Sequence, residues 1–313
     1  ASRPGEVRRL AGALSELLRP AIEDWQAILR GTEGEGMLRT RGWLRVYRTE
    51  EQMRAVLQDV ALLRENGIKV DVLDSGSVRD LEPSLAVSFA GGVLYRDVGN
   101  LSSPLGAMRI LADIVRREGG RIHRRNIVRV ETKDDRAVLV DNAGTFAADR
   151  AIIAAGAWSR RLVRTLGIDL PLDTERGYHA MLTPPAASVQ RPVTVVSPGY
   201  TLAPMADGIR LTTSVEFAGL DAPPDYRRLR RMVAHAVAVL PGLGATPTSE
   251  WLGFRPSMPN SLPVIGPLPD RPQILFAFGH GHVGLTLGPT TGRLITAIID
   301  GRPPNHLVPF LPR

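Results

Sequence analysis

Residues 251–267 read W-L-G-F-R-P-S-M-P-N-S-L-P-V-I-G-P, and residues 276–292 read F-A-F-G-H-G-H-V-G-L-T-L-G-P-T-T-G. In the first stretch a lone arginine, Arg255, stands between an aromatic residue and a proline. Its guanidinium is a planar fork of donors that matches a carboxylate bidentately. In the second stretch an apolar run ends in glycines at alternate positions and opens a helix. Glycine allows close backbone approach, and a helix N-terminus carries unpaired N–H donors. Gly279, His280, Gly281, Val283, Gly284, Leu285 and Thr286 are therefore read as a loop that brings amides against a flat cofactor or its phosphates. The competing readings are a structural salt bridge for Arg255 and an ordinary strand-to-helix turn for the loop.

Composition narrows the classes around this pair. The chain has 313 residues, 43% of them hydrophobic, enough for one large or two interleaved domains. It has no cysteine, which excludes disulfides, thiolate catalysis and cysteine-ligated metal. The net charge is +7, and of 39 basic residues only Lys69 and Lys133 are lysine, leaving 37 arginines. These are scattered, and aromatics make up 5%, so a solvated arginine-rich surface fits better than a nucleic-acid face. Attraction to an anionic membrane surface stays open. No apolar run reaches the roughly 20 residues of a membrane span, and no signal peptide is visible. The expected location is cytoplasmic, with peripheral attachment at the inner face of the cell membrane as the variant.

Along the chain, residues 6–29 have helical periodicity interrupted by Pro20. Residues 37–47 and 68–73 read as strands. Thr49 to Gln52 is a capping box for a helix ending at Asn66-Gly67, and Ser103-Pro104 caps another that runs to Gly119-Gly120. A β region follows over 121–124, 127–132, 137–141 and 145–148, with Asp141 to Gly144 as a hairpin turn. Ala151 to Ala155 is an apolar strand that ends at Gly156 and leads into a helix over 158–166, the form of a dinucleotide-fold edge. Strands separated by prolines fill 172–213, 225–240 is an arginine-rich helix, and 284–299 is the last helix. The pattern predicts a mixed α/β and α+β protein of two domains, each visited more than once.

On these residues the chain resembles the D-amino-acid oxidase family of flavoproteins, and among them the bacterial D-amino-acid dehydrogenases. The likeness rests on L-R-P-A-I-E-D-W (18–25), R-G-W-L-R-V-Y (41–47), D-L-E-P-S-L (80–85), I-I-A-A-G-A-W-S (152–159), T-E-R-G-Y-H (174–179) and the two opening stretches. It implies an FAD-dependent amine oxidoreductase fold. An FAD-binding domain of residues 1–35, 98–171 and 251–313 would interleave with an antiparallel-sheet substrate domain of 36–97 and 172–250. The family's G-x-G-x-x-G turn, which holds the FAD pyrophosphate, does not occur in this sequence. An N-terminal βαβ segment is expected to be missing, the alternative being a paralogue that lost FAD binding. The exposed sheet edge and apolar face would lead either to dimerisation through them or to a chain stabilised by losing the segment after folding.

The resemblance also implies roles. Arg255 binds the substrate carboxylate. The loop from Gly279 to Thr286 runs past the flavin, Ala155, Gly156 and Trp158 form a second FAD contact, and the backbone of Ile127 meets the adenine. Tyr178 and His179 line the pocket or pack between domains, and His282 faces the substrate. No metal site is expected. The implied reaction is oxidation of a D-amino acid to an imino acid, with electrons passing to a quinone or to oxygen. A glycine, sarcosine or hydroxyproline oxidoreductase is the alternative within the class. A non-catalytic domain that cannot hold FAD is the alternative outside it.

Overall fold

The computed structural model describes residues 3–312. Helices α1 (Pro4–Leu18) and α2 (Ala21–Leu29) break at Pro20, which has no amide to continue the first. Then come β1 (Leu38–Arg39), β2 (Trp43–Tyr47), α3 (Glu50–Glu65), β3 (Val70–Asp74), α4 (Ser75–Leu81), β4 (Gly91–Tyr95), β5 (Asn100–Leu101) and α5 (Pro104–Arg117). The Thr49 hydroxyl accepts from the Gln52 amide at 3.2 Å, while Gln52 Oε1 accepts from the amide of Arg48, one residue before the cap. Gly67, at φ +76°, ends α3 as expected of a C-terminal glycine.

The middle of the chain forms β6 (Arg129–Lys133), β7 (Arg136–Asp141), β8 (Gly144–Ala148), β9 (Ala151–Ile153) and α6 (Ser159–Arg164). Asp141 Oδ1 accepts from the amides of Ala143 and Gly144 at 2.7 and 2.9 Å, closing the hairpin at the predicted place. The strand expected over 121–124 does not form. These residues are exposed and find no backbone partner among the described residues, and an unpaired strand has nothing to hold it extended. The remainder is β10 (Asp173–Leu182), β11 (Val193–Val195), β12 (Tyr200–Met205), β13 (Gly208–Glu216), α7 (Arg227–Val239), β14 (Ser249–Ser257), β15 (Val264–Leu268), β16 (Arg271–Phe278) and α8 (Gly288–Ile299). The last helix starts at Gly288 rather than at residue 284, because residues 281–283 make a 3-10 turn first.

Eight strands build the main sheet in the order β14-β10-β13-β12-β11-β2-β4-β3. It joins residues 43–95 to residues 173–257, so the chain leaves this sheet and returns to it. β14 is hydrogen-bonded to β10 along its length. The division expected at residue 251 therefore falls inside β14. A second sheet, β15-β16-β9, and the β6-β7-β8 meander pack together around Val130, Ile153, Ile274 and Phe276. Among the described residues β9 pairs only with β16, and Ile152 on it is exposed.

Strand parity divides the main sheet into two faces. Leu44, Val46, Tyr178, Ala180, Val193, Val195, Tyr200, Leu202, Ile209 and Leu211 point to one side and pack with Leu229, Val233 and Ala236 of α7. Each fully buried aliphatic chain there contributes about 1.5–3 kcal/mol. The opposite face is polar over β14, β10, β13, β12 and β11. Register places Arg45, Thr194, Thr201, Thr212, His179 and Trp251 in one row across six strands.

Candidate active site

The polar face is built from odd-numbered residues of β10 and β14. Glu175 lies directly across the ladder from Arg255, Gly177 from Gly253, and His179 from Trp251. The two glycines leave room that their neighbours fill. A Cβ on Gly177 would overlap the Arg255 guanidinium, and one on Gly253 would overlap the Trp251 ring. Arg255 and Trp251 thus lie flat on the sheet over the cross-strand glycine pair. His179 stacks on Trp251 with ring centroids 5.0 Å apart.

Arg255 is half-buried, and burial pulls its guanidinium below the ordinary arginine value while the charge of Glu175 raises it. No carboxylate lies within ion-pair distance among the described residues, and Nη1 is buried without a hydrogen-bond partner. The structural salt bridge considered from sequence is therefore not made. Glu175 is committed elsewhere: its Oε2 lies 2.6 Å from His282 Nε2. Burial raises the Glu175 carboxyl, but the hydrogen bond of His282 and the charges of His282 and Arg255 outweigh it, holding it below the usual carboxylate range. A buried guanidinium with an unclaimed N–H is costly unless an anion arrives to match it.

The glycine loop lies against the end of β14, where Ser257 and His280 form an isolated antiparallel bridge. Gly279 and Gly281 have φ of +83° and +51°, which other residues rarely adopt. The amides of Gly284, Leu285 and Thr286 meet no acceptor among the described residues, so three donors remain for a ligand. Asp24 and Trp25 hold this loop and helix in place. Trp25 Nε1 donates to the carbonyls of Leu285 and Thr286 at 3.0 and 3.2 Å. Asp24 accepts from Thr290 Oγ1 at 2.7 Å and from Arg293 at 3.0 Å. His280 Nε2 lies 2.9 Å from Thr291 Oγ1, anchoring the loop to α8. On the other flank Ala155, Gly156 and Trp158 turn against β14, and Trp158 meets Phe254 edge-on at 5.4 Å. Gly156 has φ +56° and open space where a Cβ would stand.

The 155–158 turn thus meets β14 through Phe254, an even-numbered residue on the face opposite Arg255. The structure brings Arg255, His179, His282 and the 279–286 loop to one side of the main sheet. It does not bring Tyr178 there. An even-numbered residue of β10, Tyr178 is 5% exposed, accepts from Arg176 Nη2 and the Asp225 amide at 3.0 Å, and donates to Glu216 at 2.7 Å. Its hydroxyl is fully used in the core, which removes it from the site. The side chain of Ile127 packs against the core under the β6-β7-β8 meander. Residues the sequence did not single out are Glu175, Gly177, Gly253, Trp251, Asp24 and Trp25. Strand parity through T-E-R-G-Y-H was the available signal for the first two.

Two predictions follow from this geometry. Gly177→Ala is expected to lower kcat/KM at least about tenfold, since misplacing a positioning group by about 1 Å can cost a hundredfold. Unfolding free energy should change little, because the overlap is with a side chain and not with backbone. A variant with unchanged kinetics would show that Arg255 is not held over Gly177 in the working protein. The second concerns His280, which burial pulls down from 6.5 to about 4. The folded protein keeps it neutral where the unfolded chain takes up a proton. Stability from this group is complete above pH 6.5 and falls away between 6.5 and 4, by about 2 kcal/mol at pH 5. Urea unfolding at pH 7 and pH 5 should show that difference shrinking in His280→Gln, and an identical slope in both proteins would refute it.

Residues 3–298 match the model of the family described as DAO, FAD dependent oxidoreductase. A D-amino-acid oxidase of Bradyrhizobium diazoefficiens is 29% identical, with 99% of this chain and 85% of that protein covered. A D-amino acid dehydrogenase of Cereibacter sphaeroides is 30% identical over 97% of this chain and 70% of its own length. Among solved structures, a glycine oxidase from Geobacillus kaustophilus superposes with a TM-score of 0.82 at 25% identity, covering 99% of this chain and 83% of that one.

Proposed function

The chain belongs to the DAO family of FAD-dependent oxidoreductases, and from that membership we propose that it oxidises a D-amino acid to the imino acid, with Arg255 binding the substrate carboxylate. The observation that carries this reading is the half-buried Arg255 guanidinium, with its Nη1 unclaimed beside the glycine loop. The donor set fits the cofactor. The free amides of Gly284, Leu285 and Thr286 would hold the flavin end of FAD, and Gly156, with open space beside it, would meet another part of the cofactor. When bound, FAD supplies the two-electron acceptor for the hydrogen on the substrate Cα.

The chain's own part is positioning. Arg255 fixes the carboxylate in one plane, which restricts the rotation of Cα, and the flat Trp251 and the two glycines leave space above the sheet for the rest of the substrate. Orientation of this kind can supply several kcal/mol of barrier lowering without an acid–base side chain. The amides at residues 284–286 favour negative charge on whatever they face. In this reading residues 36–97 and 172–257 form the substrate unit, the other residues form the cofactor unit, and the final acceptor is a quinone or oxygen.

A second reading, a glycine or sarcosine-type oxidase, draws on the relatives named glycine oxidase, one of them 31% identical over 75% of this chain. One experiment separates the possibilities. The purified chain is supplied with FAD, its visible flavin absorbance recorded, and turnover measured with D- and L-alanine, glycine and sarcosine, using oxygen and a quinone as acceptors. Turnover of D-alanine over L-alanine supports the proposal, and turnover of glycine or sarcosine alone supports the second reading. A chain that takes up no flavin would be the non-catalytic domain instead.

A further inference from the structure

Arg255 is not the only half-buried arginine on the polar face without an acid among the described residues. Arg210 projects from β13 on the same side, opposite Met181 of β10. It is half-buried, no carboxylate lies within ion-pair distance among the described residues, and its Nε is buried with no partner. Burial draws its guanidinium below the ordinary arginine value, with only the charge of Asp207 opposing. Burial pulls the nearby His179 imidazole down from 6.5 to about 4, and the charge of Arg210 adds to that. An exposed arginine without an acid is solvated, but one whose Nε is buried and unpartnered on this face calls for a reason.

The spacing gives one. The Arg255 guanidinium sits over Gly177, and Arg210 stands opposite Met181, four residues farther along β10. That is about 13 Å along the strand at about 3.3 Å per residue, shortened by the approach of Arg210 to His179. Between them lie His179, the Trp251 ring and the hydroxyl of Thr212. A carboxylate at each end of a four- or five-carbon chain, with charge-assisted hydrogen bonds of about 2.8 Å at both, spans such a gap.

We propose that Arg210 is a specificity-determining residue that receives a second carboxylate, so that the substrate class is acidic amino acids. This rests on the reading that Arg255 binds the α-carboxylate. The neutral His179 between the two cations supplies a hydrogen-bonding surface without adding repulsion or attraction of its own. The Arg45 guanidinium, farther along the same row with its Nε also unpartnered, extends the positive potential of the face and favours entry of dianions.

The test compares kcat/KM of the FAD-loaded protein for D-glutamate and D-aspartate with that for D-glutamine and D-asparagine, which match them in shape without the charge. The acids are expected to be preferred, and Arg210→Met to lower the acid-to-amide preference about tenfold or more. An acid-to-amide ratio that Arg210→Met does not move would overturn the assignment, as would turnover of neutral D-amino acids with none of the acids. If no amino acid of any kind is oxidised, it is the underlying Arg255 reading that fails. A measurement independent of the variant's folding is inhibition of the unaltered protein by glutarate against butyrate: about tenfold tighter inhibition by the dicarboxylate supports the proposal, and equal inhibition refutes it.

Discussion

Arg255→Ala is expected to cut kcat/KM for the amino-acid substrate by roughly 30-fold to several thousand-fold, the equivalent of about 2–5 kcal/mol for removing one partner of a desolvated charge pair. The side chain is half-buried over Gly177, its Nη1 has no partner of its own, and the nearest acid, Glu175, is taken by His282. Arg255→Lys should recover only part of the loss, because an ammonium is a point charge and cannot present two parallel N–H groups. Stability should hold or rise slightly in Arg255→Ala, since a costly buried charge is removed. Steady-state kinetics of the three proteins decides the matter; unchanged turnover in Arg255→Ala would place the carboxylate elsewhere.

The largest effect on stability is expected one residue out of register. Arg176 is completely buried on the core face of β10. It donates to the carbonyls of Ala222 and Pro223 at 2.8 and 2.9 Å and to the Tyr178 hydroxyl at 3.0 Å, and its Nε lies 3.0 Å from Glu216. This network ties the segment before α7 to the main sheet. Arg176→Ala removes the donor from two part-buried carbonyls and from the Glu216 carboxylate and empties a fully buried site. Breaking a buried pair from one side typically costs about 3–5 kcal/mol, with the lower end expected here because Glu216 is partly exposed. Chemical denaturation should show a midpoint lowered accordingly. Arg176→Ala combined with Glu216→Ala should lose less than the two single changes summed, because the second removes the stranded charge. A fully additive pair would mean that the network carries no coupling.

Much of the fold could be read where local chemistry is sufficient. The Thr49 and Ser103 caps, the break at Pro20 and the turn at Asp141 each depend on a side chain and backbone within a few residues. Arg255 and the glycine loop could be read for the same reason, because their neighbours in sequence are also their neighbours in space. The rest depends on pairing that no short stretch specifies. Tyr178 and His179 are adjacent in sequence, yet β10 sends one into the core and the other to the polar face, and only the register with β13 and β14 decides which. Arg45, Arg210 and Arg255 meet on one surface although 165 residues separate the first from the second, a proximity created by sheet order alone. Residues 121–124 have strand-like composition but no partner among the described residues, so propensity there finds no ladder to join.

The alternation along β10 has a consequence for how such a protein can change over generations. Even-numbered positions, with Arg176 and Tyr178, hold the scaffold, and the odd-numbered Glu175 and His179 make up an outward set on the polar face, with Gly177 covered by Arg255 and Met181 buried. Replacements on the outward set can alter what is recognised while drawing little on the stability held by the other set, and the reverse applies to replacements within the core. A lineage built on this strand can explore new substrates at low structural risk, and a directed-evolution library confined to outward positions of β10 and β14 should retain a far larger folded fraction than one of equal size at the even positions.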